Sequence, residues 1–305
     1  MLSVLRAKAP LFSVYMIALL CAVTGISPAF AGEDKDEEKW DVSNPPGPKY
    51  NVPIDTNQGT WMSVDVSPDG SQIAFDLLGD IYVIPIAGGE AKSLTSGMPW
   101  DEHPRFSPDG KWIAYTSDRD GGDNIWIMKS DGSDAQQVTK EDFRLLNSPT
   151  WTPDSDYIAA RKHFTSTRSA GAGEIWLYHR TGGDGLQMTK RPNDQKDLGE
   201  PAFSPDGRYL FYSQDVTPGS RFQYNKDPNG EIYAIKRLDR VTGDTETFIA
   251  GPGGSIRPTP SPDGAQLAFI RRVRGKSVLF LANIETGDPC KNYIGNSVYC
   301  RLSSS

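Results

Sequence analysis

Residues 104–139 read PRFSPDGKWIAYTSDRDGGDNIWIMKSDGSDAQQVT, and this stretch decides the fold. Ser107-Pro108-Asp109-Gly110 is a tight turn. Pro presets φ near about −65° at its second position, Asp can bond its own backbone, and Gly accepts a positive φ without a Cβ clash. After the turn, Trp112, Ala114 and Thr116 alternate with Ile113, Tyr115 and Ser117, the period of a strand. A polar loop, Ser117 to Asp123, leads to Asn124-Ile125-Trp126-Ile127-Met128, whose residue types suit a pleated surface. Asp131-Gly132 makes a second hairpin turn and Gln137-Val138-Thr139 a short fourth strand. Four antiparallel strands in about forty residues make one propeller blade.

The unit recurs from Trp61 onward. Its turns are Ser67-Pro68-Asp69-Gly70, Ser107-Pro108-Asp109-Gly110, the degenerate Thr152-Pro153-Asp154-Ser155, Ser204-Pro205-Asp206-Gly207 and Ser261-Pro262-Asp263-Gly264, spaced by 40, 45, 52 and 57 residues. Third strands recur as Asp80 to Ile84, Asn124 to Met128, Glu174 to Tyr178 and Glu231 to Ile235, and Leu94-Thr95, Val138-Thr139 and Met188-Thr189 close the first three blades. The expected fold is all-β: a β-propeller of four-stranded antiparallel blades, with about five recognisable and the ring incomplete. An unclosed ring leaves strand edges open to pairing or aggregation.

Composition agrees: 305 residues with 30 Gly and 23 Pro suit many short strands better than long helices. Residues 1–31 read as a signal peptide. Arg6 and Lys8 supply a positive start, Leu11 to Val23 is an apolar run too short to span a membrane, and Ala29-Phe30-Ala31 is a small-x-small cleavage site. Cleavage after Ala31 implies export, with no membrane span left. The mature chain then has 30 basic against 39 acidic residues, a charge of about −9 that argues against a nucleic-acid partner. Residues 32–60 form a charged, Pro-rich linker, in which Tyr50-Asn51-Val52 is placed to pair with a blade edge. Repeats fill 61–288. The tail 289–305 matches no blade element, and a fourth strand is missing from the fifth blade. Cys290 and Cys300 there suit a disulfide in an oxidising compartment; the rival and preferred expectation is a shortened product of a longer gene.

With the xPxFSPDG start and the Ile-Trp or Ile-Tyr third strand, the chain resembles the TolB-like, WD-repeat-like β-propeller family from Trp61 to Thr286. Only 29 residues lie between Gly32 and Thr60, too few for the α/β domain that precedes the propeller in TolB itself. The front of the chain looks more like the N-terminal propeller of periplasmic amidohydrolase-related or tricorn-type proteins. That likeness implies catalysis in a domain beyond the propeller. His103, His163 and His179 form no HxH pair, no GxSxG occurs, and Cys21 leaves with the signal. The expectation is therefore a non-catalytic exported binding domain without cofactor or metal, whose partner is a protein, a peptide or a missing C-terminal catalytic domain. A TolB-like envelope scaffold and a channel-sited propeller enzyme are the alternatives.

In an up-and-down blade the first and third turns share one face, and the second turn shares the other with the connection to the next blade. The second turns vary widely, from Leu77-Leu78-Gly79 in blade 1 to His163 through Gly173 in blade 3 and Asp215 through Gly230 in blade 4, which points recognition to their face. Asp101, Glu102 and His103 open on it ahead of an inner strand and are the candidate ligand-binding residues. Asp118, Asp120 and Asp123 have the spacing that begins a calcium loop but lack its downstream glutamate, so turn chemistry accounts for them. Trp112, Trp126, Trp151, Trp176, Tyr209 and Tyr233 fall at strand spacing and read as packing between blades.

Overall fold

In this computed structural model the described residues are 40–142, 145–166, 169–219, 227, 229–289, 292–294 and 297–299. The expected signal peptide, Cys290 and Cys300 lie outside them. The strands follow the turn repeat. Blade 1 holds β1 (Val64–Val66), β2 (Gln72–Leu77), β3 (Asp80–Pro85) and β4 (Lys92–Ser93). Blade 2 holds β5 (Asp101–Phe106), β6 (Trp112–Ser117), β7 (Asn124–Lys129) and β8 (Gln136–Gln137). Blade 3 is β9 (Leu146–Trp151), β10 (Tyr157–Ser166), β11 (Ser169–His179) and β12 (Leu186–Gln187). Blade 4 is β13 (Leu198–Phe203), β14 (Tyr209–Asp215), β15 (Tyr233–Asp239) and β16 (Thr245–Ile249).

The fifth sheet has three strands, β17 (Ile256–Pro260), β18 (Gln266–Val273) and β19 (Lys276–Asn283), extended only by a bridge between Ala282 and Pro289. A separate hairpin follows, β20 (Asn292–Ile294) and β21 (Ser297–Tyr299). Strand order in each blade is sequence order. The first strands of successive blades pack side by side, which makes them the inner strands about the axis.

Two expectations need correction. Tyr50-Asn51-Val52 forms no strand: Tyr50 and Val52 are exposed, and Pro53 follows with no donor to offer a ladder. The third strand of blade 4 begins at Tyr233 rather than Glu231, after the long loop that precedes it.

The repeated turn explains the repeated local structure. The Ser or Thr hydroxyl donates to the Asp Oδ1 at 2.6, 2.6, 2.5, 2.5 and 2.5 Å in blades 1 to 5. The same oxygen accepts the backbone N–H two residues on, at 3.0 or 3.1 Å. The fourth turn residue takes φ 70 to 74° where it is Gly and 63° at Ser155. Ser155 carries the Cβ penalty that Gly avoids, but its Oγ accepts the Asp109 N–H from the neighbouring blade at 3.1 Å.

At the other end of each early blade, Thr95, Thr139 and Thr189 accept the third-strand amides of Ile81, Ile125 and Ile175 at 2.9 Å. The hydroxyl takes over the pairing where the two-residue fourth strand stops.

The core is a series of sandwiches between blades. Ala74, Ile81 and Val83 meet Phe106, Ile113, Tyr115 and Met128 between blades 1 and 2. Ile125 and Ile127 meet Trp151, Ile158 and Tyr178 at the next junction, with Trp112 and Trp176 packed against them. Ile175 and Leu177 meet Phe203 and Leu210 at the third, and Phe211, Ile235 and Ile249 meet Leu267 and Phe269 at the fourth. Each fully buried Ile, Leu or Phe contributes roughly 1.5–3 kcal/mol, so these faces hold the blades in register. Among the described residues, blade 5 makes no comparable packing with blade 1.

Candidate functional site

The channel-side residues are set by a backbone device repeated in four blades. In β5, β9, β13 and β17 the register with the second strand slips by one residue. The two residues opposite one are His103-Pro104, Ser148-Pro149, Glu200-Pro201 and Arg257-Pro258. His103, Ser148, Glu200 and Arg257 have φ of 57, 53, 55 and 57°. A residue before Pro is ordinarily extended, and a left-handed non-Gly residue is strained by about 1–3 kcal/mol. Bulges of this kind re-aim one side chain. Blade 1 has Ser63 at this position, without a following Pro and without the slip.

Side chains of the second strands capture the displaced amides. Asp76 accepts Ser63 N–H at 2.9 Å and His103 N–H at 2.8 Å, joining blades 1 and 2. In blade 4 the equivalent Ser213 accepts Arg257 N–H at 3.0 Å and donates to Glu200 Oε2 at 2.6 Å. Glu200 also accepts Arg257 N–H at 3.0 Å and Nε at 3.0 Å, so one carboxylate holds both the backbone and the guanidinium of the next blade. At the same position in blade 2, the buried Thr116 Oγ1 has no hydrogen-bond partner.

The structure places Asp101, Glu102 and His103 together in β5 but gives them separate tasks. Asp101 is buried and accepts two bonds from Arg119 Nη2, at 2.8 and 2.7 Å. Its carboxylate is buried in this ion pair. Glu102 lies 3.2 Å from His103 Nδ1 and accepts the Trp100 indole N–H at 3.3 Å. The His103 contact holds the Glu102 carboxyl below its usual range against the opposing effect of burial. Trp100 packs over Gly79, where a Cβ would lie 2.8 Å from the ring, and its backbone N–H bonds Asp118 Oδ1 at 2.7 Å.

Charge on this face is divided. Burial and the nearby Glu102 and Asp118 raise the Asp123 pKa, and burial together with Asp101 raises that of Asp80. Cations recur from Arg105 in blade 2 round to Arg257 in blade 5. Burial lowers the Arg105 pKa, Asp65 and Asp76 oppose that, and the charge of Arg257, three blades on, lowers it further. Arg161 bonds Asp197 Oδ1 through Nη2 at 2.5 Å and also approaches His163 Nε2, to which Asn147 Nδ2 donates at 3.0 Å. Lys196 is buried against Asp215 at 3.3 Å.

Among the described residues, no group of three or more His, Cys, Asp or Glu is arranged to hold a metal ion. Asp118 Oδ1 accepts the Trp100 N–H at 2.7 Å and Asp120 Oδ2 accepts from Gln137 Nε2 at 3.1 Å, contacts that reach 18 and 17 residues along the chain rather than within the turn.

Ser148, Glu200 and Arg257 were not legible as site residues, although the Pro three residues before the Ser or Thr of the last four turns marked their position.

Residues 51–231 match the TolB beta propeller domain, PD40. The chain belongs to the TolB beta-propeller family. Within it, this TolB-type chain is 28% identical over 229 residues to the uncharacterized protein Atu1656 of Agrobacterium fabrum, covering 72% of this chain and 73% of that one. It is 26% identical over 196 residues to the uncharacterized peptidase YuxL of Bacillus subtilis, covering 50% of this chain and 29% of that protein. It thus spans less than a third of the Bacillus relative. A TolB-type structure from Agrobacterium tumefaciens superposes with a TM-score of 0.61 at 19% identity, over 74% of this chain and 78% of the other, which speaks to the fold.

Proposed function

We propose that residues 61–288 form a non-catalytic TolB-type scaffold, exported to the periplasm, that binds a protein or peptide across the channel mouth on the face of the second turns. The observation that carries this is the left-handed x-Pro device, which presents an imidazole, a hydroxyl, a carboxylate and a guanidinium from His103, Ser148, Glu200 and Arg257 at one register. Four different polar groups on a rigid frame suit recognition of an extended polar partner rather than one chemical step. The ion pair of Asp101 with Arg119 occupies one of the carboxylates that the alternative channel enzyme would use.

The test is photo-crosslinking in the producing cell from His103 or Glu200, with Asp109 on the opposite face as control. A partner captured from the first two positions and not from the third supports the reading. Turnover of peptides or cyclic amides by the purified chain, abolished by substitutions at these residues, overturns it.

A second reading is favoured by the coverage of the Bacillus relative. There the propeller accompanies further sequence in a protein described as a peptidase, and the motif likeness adds amidohydrolase-related proteins. In this form the partner is a hydrolase domain, and the propeller governs what reaches it. Co-expression with the reading frame adjoining the gene, followed by co-purification, checks it.

A further inference from the structure

The second-turn face carries an apolar knob where blades 1 and 2 meet. Leu78 and Gly79 form the two-residue turn between β2 and β3, with φ of 55 and 89°. Such a turn is ordinarily made by Asn or Gly, because a branched side chain at positive φ is strained. The Leu78 side chain is nonetheless turned to solvent, 68% exposed. Beside it the Trp100 ring lies over Gly79, and the residue remains 54% exposed. The Trp100 indole N–H donates to Glu102 Oε2 at 3.3 Å and its backbone N–H to Asp118 Oδ1 at 2.7 Å. Two carboxylates thus hold a half-exposed aromatic ring in one place, and Trp is among the residues that most often anchor a bound partner.

The rim of this knob is acidic. Burial raises the Asp123 pKa, and the charges of Glu102 and Asp118 raise it further, so three carboxylates are crowded here. Asp80, next to Gly79, keeps a buried Oδ1 without a hydrogen-bond partner. Arg119 feels the charge of Asp118, but its Nη2 is taken up by Asp101 and its guanidinium carbon lies 5.0 Å from the centre of the Trp126 ring. His103 stands beside Glu102 at 3.2 Å. The surface therefore joins exposed apolar area to an excess of negative charge.

We propose that this surface docks a basic segment of the protein partner, an extended stretch in which Arg or Lys side chains flank an apolar residue. The apolar residue covers Leu78 and the edge of Trp100. A flanking cation lies on the exposed part of the indole, where the ring quadrupole attracts it, and is met by Glu102 and Asp123. Its charge relieves the repulsion among the crowded carboxylates. The inference rests on the reading of this face as a partner-binding one, and it names the chemistry that the sector between blades 1 and 2 selects.

Fluorescence anisotropy tests this with labelled Gly-Ser octapeptides that carry one Leu flanked by Arg, by Lys or by Glu. The full chain is expected to bind the Arg and Lys peptides with Kd on the order of 100 µM at low salt, more weakly as salt rises, and to leave the Glu peptide free. Trp100→Ala should weaken binding by about tenfold and Asp123→Asn by about threefold. Asp123→Asn removes a charge that burial disfavours, so its urea midpoint should hold or rise while affinity falls; a merely structural role would not separate the two. Glu246→Gln, on β16 and outside this sector, should bind as the unaltered chain does. Absence of binding by the Arg and Lys peptides, equal binding of the Glu peptide, unchanged affinity in Trp100→Ala and Asp123→Asn, or an equal loss in Glu246→Gln each overturns the proposal. Photo-crosslinking from Glu200, in blade 4, decides the wider reading separately.

Discussion

Replacing Asp76 with Ala should loosen the junction between blades 1 and 2 while leaving the rest of the array folded. The carboxylate is 7% exposed and accepts two backbone amides, Ser63 N–H at 2.9 Å and His103 N–H at 2.8 Å. A hydrogen bond to a charged group contributes roughly 1.5–3 kcal/mol, and an amide left buried without a partner costs about 1–3 kcal/mol. The second figure is partly contained in the first, so the loss is about 3–5 kcal/mol for the pair. His103 adds to the effect, because its left-handed conformation persists only while the surroundings hold it. In a serial array the damage stays near the altered junction. Hydrogen exchange followed by mass spectrometry is therefore the right assay. Protection of peptides carrying Ser63 and His103 should fall by about two to three orders of magnitude, with blade 4 peptides unchanged. Asp76→Asn keeps one acceptor oxygen and should fall between the two. Exchange at His103 equal to that of the unaltered chain would refute the assignment of Asp76 as the clamp.

Two further outcomes follow from the same geometry. Thr116 holds the position of Asp76 in the next blade, but its buried Oγ1 has no partner, so Thr116→Val should leave the urea midpoint unchanged or raise it by up to about 1 kcal/mol in stability. Acid should act in two opposite senses. Hydrogen bonds from the turn serines lower the pKa of Asp69 to about 2 and also lower those of Asp206 and Asp263. Their contribution is complete above the ordinary carboxylate pKa near about 4 and disappears as pH falls toward 2. Burial raises Asp65, Asp80, Asp123 and Asp197, whose penalty is relieved as pH falls through their elevated values. Urea midpoints measured from pH 7 to 2 should therefore hold or rise slightly while the pH stays above the ordinary carboxylate range and then drop below about pH 4. A monotonic fall from pH 7 would contradict this balance.

The blade was legible because its signals are local. Ser107-Pro108-Asp109-Gly110 states its turn in four adjacent residues, and strand alternation follows at once. The site was less legible because its contacts join distant residues. Asp76 and His103 lie 27 residues apart and meet only through the blade stack. Asp101 looked like a free carboxylate in a loop, and nothing in its neighbours announced that Arg119, 18 residues on, would close over it. Ser155 looked like decay of the repeat, yet its hydroxyl ties two blades, a bond visible only once blades 2 and 3 are side by side.

The residue at positive φ differs between the turns and the inner-strand bulges. Four of the five turns place Gly at their left-handed position, Gly70, Gly110, Gly207 and Gly264, the residue that bears this conformation at least cost. The inner-strand bulges need the same sign of φ four times and use His103, Ser148, Glu200 and Arg257, never Gly. Geometry alone would select Gly at both places. At the turns the side chain has no task, and Gly removes the strain. At the bulges the strain is retained, about 1–3 kcal/mol at each, and each blade supplies a different polar group. Glu200 shows what a retained side chain does, since it grips Arg257 by both backbone and guanidinium and fixes the next blade's bulge. His103 is held by Asp76 through its backbone, and its imidazole lies 3.2 Å from Glu102 in the acidic sector of the mouth. The same backbone device thus grips the next blade's bulge in blade 4 and sets an imidazole beside Glu102 in blade 2.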